Sequence, residues 1–329
     1  MAGMGKRMRP HTLITPKPVL PIAGKPIVQR LVEDIAKVSN ESIDEISFII
    51  GENFGPEIEN KLLEIAKEMG AKGTICYQRK ALGTAHAILC AEDALEGKVV
   101  VAFADTLFKA DFVMDTEQDG IIWTKQVDNP EAFGVVKFND NGIVEAFVEK
   151  PEEFVSDRAI IGIYYFKDGA NLRKELQYLI DNDVRIKGGE FGLTDALENM
   201  NNKGVEFKIE TVAAWLDCGN KDATVRSNKM VLEFNKDQNW VSSSLKQENT
   251  VIIPPCYIGE GVNISNSIIG PHVSIGDGCK ISNSIIDNSL IRERTSLNHV
   301  FYTNSMIGTD VKIDIKKKEV SIGDYTTLI

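Results

Sequence analysis

The sequence predicts an α/β domain built on a mostly parallel sheet, followed by a parallel β-helix. Three observations carry that prediction. Helix and strand periodicities alternate from residue 26 to about 105, strands dominate from about 120 to 215, and the last third repeats itself. Alternation of the first kind implies βαβ units and a parallel sheet covered on both faces.

The elements follow in order. "KPIVQRLVEDIAKV" places Ile27, Leu31, Ile35 and Val38 on one helical face. "EISFII" at 45–50 is a short apolar strand ending at Gly51, and "EIENKLLEIAKEM" sets Ile58, Leu62, Ile65 and Met69 on one side of a second helix. "GTICYQ" reads as a strand, "GTAHAILCAEDAL" as a helix and "KVVVAFAD" as a buried strand. Asp105 closes that last run, beyond the carboxyl end of a strand, where such sheets bind ligands. "GIIWTKQV", "FGVVKF", "GIVEAFVEKP" and "AIIGIYYF" are further strands, with helical patterns near 170–182, 190–200 and 221–236. A polar linker, "NKDQNWVSSSLKQENT", follows. Beyond it ISNSII at 264–269 recurs at 281–286, and isoleucines return about every six residues (Ile258, Ile264, Ile269, Ile275, Ile281). β-Branched residues at that step, with Gly and Asn between, indicate a parallel β-helix.

Composition narrows the function. The 329 residues carry a net charge of −11 and are 43% hydrophobic and 26% charged, as in a globular protein of about two domains. The acidic balance disfavours nucleic acid as partner, and no apolar run is long enough to span a membrane. Five scattered cysteines without a CxxC argue for reduced thiols in a cytoplasmic protein and against a zinc site. Against this background the opening stands out. Lys6, Arg7, Arg9, Lys17, Lys25 and Arg30 precede the first carboxylate, Glu33, in a stretch too rich in proline to be helical. Prolines and apolar residues interleave these cations, which suits a local anionic ligand better than a nucleic-acid arm.

That opening resembles the signature of the sugar-1-phosphate nucleotidyltransferases, commonly G-x-G-T-R-L-x-P-x-T followed by P-K-P. Gly3, Gly5, Arg7, Pro10 and Thr12 match it, then Pro16-Lys17-Pro18 and "LPIAGKPI"; Lys6 stands where threonine is usual. "YQRKALGTAHA" is similar to the family's base-recognition segment, with Gln78 ahead of Gly83-Thr84. A glutamine amide pairs a donor with an acceptor, which suits the imide edge of uracil or thymine. "FADT" resembles the strand-end G-D, with Ala104 for glycine, and "WLDCGN" resembles W-x-D-x-G. "FGVVKF" (Gly134), "VEKP" (Glu149, Lys150) and "GEFGLTDAL" (Glu190, Thr194, Asp195) look like sugar-side elements.

The resemblance implies a Rossmann-like nucleotidyltransferase domain over 1–225, a helix and linker over 226–250 and a left-handed β-helix over 251–329. It implies catalytic roles for Arg7, Lys17, Asp105 and Asp217, with both aspartates on one Mg²⁺. Gly3, Gly5, Lys6, Gln78, Gly83 and Thr84 would bind the nucleotide, and Gly134, Glu149, Lys150 and Glu190 the sugar phosphate. The substrates would be a nucleoside triphosphate, dTTP or UTP favoured, and a sugar 1-phosphate, glucose 1-phosphate by default. Alternatives are a bifunctional enzyme whose β-helix transfers an acyl group, a non-catalytic sugar-nucleotide sensor, and a purine nucleotide. The repeats imply a homo-oligomer, since end coils and outer isoleucines want cover; His86, His272 and His299 read as packing residues. The family also places an apolar strand of about six residues ahead of the glycine turn. None precedes Gly3 here: either the polypeptide starts upstream, or the strand is absent, in which case the loop loses its anchoring and the non-catalytic sensor is favoured.

Overall fold

The computed structural model describes residue 3 and residues 5–186 and 188–316. It divides into two compact units. One comprises residues 1–20 and 25–220, the other residues 21–24 and 221–329.

The first unit opens with helix α1 (Ile27–Ser39), whose apolar face of Ile27, Leu31, Ile35 and Val38 is buried as its spacing requires. Strand β1 (Glu45–Ile50), helix α2 (Pro56–Glu68) and strand β2 (Lys72–Tyr77) form a βαβ unit with β1 and β2 parallel along their whole length. Helix α3 covers only Thr84–Leu89, shorter than its apolar pattern suggests. Ala91 leaves helical geometry, with φ −111° and ψ 34°, and a 3₁₀ turn takes Glu92–Ala94 instead. Strand β3 (Val99–Ala102) and strand β4 (Thr106–Lys109) flank Asp105.

The larger sheet is built from β3, β5 (Gly120–Gln126), β6 (Gly134–Phe138), β7 (Val144–Glu149), β8 (Arg158–Phe166) and β9 (Phe207–Thr211). β8 lies between β3 and β5 and runs antiparallel to both, while β9 is parallel to β5. β3, β5 and β9 therefore share one direction. The antiparallel ladders come from the single inserted strand β8 and from the β6–β7 hairpin attached to it. Helices α4 (Gly169–Asp181) and α5 (Leu193–Asn202) share a core with this sheet, centred on Phe166, Leu176, Leu197 and Phe207. Strand β10 (Ala214–Asp217) pairs antiparallel with β4.

The second unit begins with helix α6 (Lys221–Phe234) and continues as a solenoid of three parallel sheets. One sheet stacks Trp240–Val241, Tyr257–Ile258, Ser274–Ile275, Leu290–Ile291 and Met306–Ile307. The polar stretch at 235–250 is thus no linker, because Trp240–Val241 and Lys246–Glu248 are strands of the first coil. Isoleucines 258, 264, 269, 275, 281, 286 and 291 point inward and are buried. Corners repeat with the coils: Asn249, Asn266, Asn283 and His299 all take positive φ, as do His272, Asn288 and Asn304. Short polar side chains tolerate that region better than most. Two of the histidines are therefore corner residues. Ala23, from the excursion at 21–24, donates its N–H to the buried Asn228 side chain of α6 at 2.9 Å. That short segment of the signature serves the second unit.

Candidate functional site

The glycine turn is locked from both sides. Gly5 has a φ of 56°, and its carbonyl accepts the Met8 N–H at 2.9 Å and the Thr12 hydroxyl at 2.8 Å. A side chain at Gly5 would meet both the left-handed backbone and Thr12, 3.2 Å away. Met8 is fully buried, so the turn is anchored while Gly3, Lys6 and Arg7 stay exposed.

Lys17 begins a one-turn 3₁₀ segment whose Val19 is buried, and Leu20 just after it is buried too. Its Nζ lies 2.7 Å from Asp105 Oδ2, with the lysine side chain 10% and the aspartate 42% exposed. An exposed ion pair would be worth little, but here the cation is mostly shielded and the carboxylate is the part that faces out. On the β4–β10 ladder Asp217 stands opposite Thr106, and the Cys218 N–H donates to the Asp105 carbonyl at 2.9 Å. Register thus sets Asp105 and Asp217 at neighbouring positions. Asp217 Oδ1 accepts the Gly219 N–H at 2.7 Å. The two aspartates thus stand one ladder position apart, and Asp105 already bears a cation; carboxylates of this kind are the hard-oxygen ligands that Mg²⁺ takes one or two of, filling its shell with phosphate and water. Among the described residues no group of three or more ligating side chains is assembled.

A second cluster gathers around Gly83. Its φ is 109°, and a Cβ there would come within 2.4 Å of the Phe191 carbonyl, so only glycine lets the two segments meet. Phe191 donates to the Leu82 carbonyl at 2.8 Å and accepts from Ala85 at 3.0 Å, and the Thr84 hydroxyl accepts the Leu193 N–H at 3.0 Å. Glu190 is thereby carried to the loop before Gly83 and stays exposed. Burial, with Glu198 nearby, pushes the Asp195 carboxyl up in the first turn of α5. Gln78 Nε2 donates to the Gly83 carbonyl at 3.0 Å and to His86 Nδ1 at 3.1 Å. Both amide hydrogens are engaged, which leaves Gln78 Oε1 as the acceptor.

The third cluster is the β6–β7 hairpin. Gly134 pairs with Glu149, and a Cβ at 134 would sit 2.9 Å from Glu149 Oε2. Lys150 turns away with φ 46°, its N–H donating to the Phe133 carbonyl at 3.1 Å. Phe133 packs edge-on to Trp215, ring centroids 5.0 Å apart, two residues before Asp217. That contact holds the hairpin beside the strand bearing the second aspartate. The structure therefore joins Lys17, Asp105 and Asp217, joins Gln78, Gly83, Thr84 and Glu190, and joins Gly134, Glu149 and Lys150. Gly3, Lys6 and Arg7 are placed on the exposed turn. Sequence reasoning gave His86 a packing role, yet it orients Gln78. Its position one turn into the helix after Gly83-Thr84 was the available signal.

Residues 1–233 match the model of the nucleotidyl transferase family, and residues 237–324 match the GlmU-like C-terminal hexapeptide family. The chain belongs to the nucleotidyl transferase family. Its solenoid is of the hexapeptide, left-handed β-helix kind. A bifunctional GlmU of Methanococcus maripaludis is 32% identical over 77% of this chain and 57% of its own length. The low-salt glycan biosynthesis nucleotidyltransferase Agl11 of Haloferax volcanii is 31% identical over 76% of this chain and 67% of its own. A structure described as a glucose-1-phosphate thymidylyltransferase from Bacillus anthracis, with sucrose, is 25% identical, has a TM-score of 0.57, and is matched over 73% of this chain and 95% of that one. The chain spans less than two thirds of the length of most of its GlmU relatives. Among the described residues no helix is long and apolar enough to cross a membrane.

Proposed function

We propose that this chain transfers a nucleotidyl group from a nucleoside triphosphate, dTTP or UTP in preference, to a sugar 1-phosphate, with glucose 1-phosphate as first choice. A phosphate oxygen of the sugar 1-phosphate attacks the α-phosphorus, the bond to the bridging oxygen breaks in line, and pyrophosphate leaves. The observation that carries this reading is Lys17 on Asp105, with Asp217 next to it in register. Lys17 and Arg7 offset charge building on the α-phosphate and on the leaving pyrophosphate, and Asp105 and Asp217 hold Mg²⁺, which supplies charge neutralisation to the phosphates. The attacking phosphate is already ionised near neutral pH, so positioning and electrostatics do most of the work. Gly3, Gly5 and Lys6 line the triphosphate, and Gln78 Oε1 accepts the imide N–H of the pyrimidine beside Gly83 and Thr84. Glu149 accepts sugar hydroxyls, Lys150 holds the sugar phosphate, and Glu190 and Gly134 complete that side. Five free thiols fit a reducing cytoplasm.

Pyrophosphate release from five nucleotides crossed with four sugar phosphates tests the reading, with a dTTP or UTP pair expected to be fastest. No release from any pair would overturn it, and a fastest ATP or GTP pair would overturn the base assignment.

The GlmU-like match favours a second reading in which the solenoid also transfers an acyl group. Against it, the His272 ring is held by Glu233 of α6 at 2.5 Å. Acetyl-coenzyme A consumption with an amino-sugar phosphate decides between them.

A further inference from the structure

Asp105 stands where the chain changes sheets. β3 before it belongs to the larger sheet, while β4 after it pairs with β10 in a separate two-stranded ladder. The turn at 103–106 joins the two strands. It closes through the Thr106 N–H on the Phe103 carbonyl at 3.2 Å and carries Ala104 and Asp105 at its centre.

A bulge in β8 fixes that turn. The register with β5 passes from Ile160 opposite Thr124 to Tyr164 opposite Ile122, so Ile161, Gly162 and Ile163 stand against Trp123 alone. Bulges redirect backbone groups, and Gly162 supplies the left-handed backbone this one needs, with φ 84°. A Cβ at 162 would come within 2.9 Å of the Phe103 ring. Two consecutive carbonyls of the bulge are thereby presented to the turn. Gly162 accepts the Phe103 N–H at 2.9 Å, and Ile161 accepts the Thr106 hydroxyl at 3.0 Å. The first bond extends the pairing of β3 with β8, and the second depends on a side chain. Thr106 is 5% exposed. Its oxygen also lies 3.5 Å from the indole nitrogen of Trp215, two residues before Asp217 on β10.

We propose that Thr106 is a positioning residue for the aspartate pair: its hydroxyl, anchored on the β8 bulge, holds the Asp105 turn in place against Asp217. The proposal rests on the reading that Asp105 and Asp217 together hold Mg²⁺. Ladder register sets Asp217 opposite Thr106, but Asp105 lies one residue outside that ladder. Rotation within the turn can swing its carboxylate without breaking the pairing of β4 with β10. The Cys218 N–H on the Asp105 carbonyl restrains one side of the turn. The Thr106 hydroxyl restrains the other, because it ties the exit of the turn to the strand that already holds its entry. Mg²⁺ demands near-ideal octahedral geometry, whereas Ca²⁺ accepts a looser shell. A turn that has lost its anchor therefore loses Mg²⁺ before Ca²⁺.

The test measures metal binding directly on the 329-residue protein. Mn²⁺ is the probe, its free fraction is read by electron paramagnetic resonance, and Mg²⁺ or Ca²⁺ is added to displace it. Thr106→Val keeps the side-chain shape and removes the hydroxyl. The Mg²⁺ concentration for half-displacement should rise about tenfold, the scale of a lost partner behind a metal ligand, with Ca²⁺ changing less than about twofold. Thr106→Ser restores the hydroxyl and should stay within about twofold of the unsubstituted protein. Unchanged Mg²⁺ displacement in Thr106→Val overturns the proposal, and so does equal weakening of Mg²⁺ and Ca²⁺. A Thr106→Ser variant as weak as Thr106→Val overturns it too, since the hydroxyl would not be the cause. Should circular dichroism show Thr106→Val unfolded, Thr106→Ala takes its place under the same criteria, because it leaves room for a water on the Ile161 carbonyl. Asp217→Asn runs alongside. If it binds Mn²⁺ normally, the assignment of the metal to the two aspartates fails; if it loses Mn²⁺ while Thr106→Val does not, the role of Thr106 alone falls.

Discussion

The two units of this protein were legible in opposite ways. In the solenoid every structural fact is local and periodic: a six-residue step buries Ile258 through Ile291, and a coil of 16 or 17 residues puts left-handed corners at Asn249, Asn266, Asn283 and His299. In the nucleotidyltransferase unit the proposed site is spread from Gly3 to Asp217, and nothing periodic links its parts. Physical patterning finds architecture wherever it repeats. A site assembled from strand ends needs register, and register is a property of the whole sheet. If this contrast is sound, substitutions in the first unit should change turnover, and substitutions on the solenoid should change assembly alone.

The largest effect is expected at Asp217. Asp217→Asn keeps the volume and the Gly219 hydrogen bond but removes the charge beside Asp105, so turnover should fall at least ~100-fold, the scale of a lost electrostatic transition-state contact. Steady-state pyrophosphate release in Mg²⁺ measures it, with circular dichroism to check the fold. Near-normal turnover would remove Asp217 from the site.

That expectation shows what was readable. The apolar run ending at Asp105 marks a strand end from sequence physics alone, whereas the pairing of Asp217 with Thr106 is invisible until β4 and β10 are laid side by side. Elsewhere, polarity misled. Asn239, Ser242 to Ser244 and Gln247 make 235–250 look like a linker, yet the first coil has no coil before it and tolerates polar residues on its outward positions. The inserted strand β8 was recognised as a strand, but its direction depends on which neighbours it meets.

Gln78 comes next. Gln78→Ala removes the acceptor proposed for the imide N–H, so the ratio of kcat/KM for dTTP over ATP should fall about tenfold, the scale of one unpaired polar group. Turnover at saturating dTTP should change less. An unaltered ratio would place base recognition elsewhere.

A subtler effect is expected from His86, which fixes the Gln78 amide by accepting its Nε2–H. Burial first, and Lys80 second, hold the His86 pKa below its ordinary value; Cys90 Sγ, 4.0 Å away, is its other polar neighbour. A depressed histidine binds its proton in the unfolded chain before the folded one. Stability contributed here is therefore present above the ordinary histidine pKa and is lost as pH falls below it. Once His86 is protonated, Nδ1 can only donate, and the Gln78 amide must turn its oxygen inward. Pyrimidine preference should drop roughly threefold to tenfold on acidification, as befits one neutral hydrogen bond. The drop should be absent in His86→Ala; a drop that survives that substitution belongs to another group.

The smallest effect on turnover, and the cleanest test of the contrast, lies on the solenoid. Val251, Ile268, Ile285 and Phe301 stack in register on one sheet, 56%, 38%, 42% and 73% exposed. Inward neighbours Ile269 and Ile286 are buried, so the outer ladder contributes nothing to the solenoid core and would be polar if it faced only water. A second copy presenting the same ladder would cover it by a two-fold contact. Lysines in a double Ile268→Lys, Ile285→Lys variant keep their stems on the surface and place charges along that ladder, which like charges on the partner would oppose. Light scattering should show the mass fall to that of one chain, while pyrophosphate release stays within about twofold, since none of the proposed site residues lies beyond Asp217. An unchanged mass would show that the ladder is not the interface. A monomer that has also lost turnover would show that the two units are not separable in function, and the contrast between them would fail.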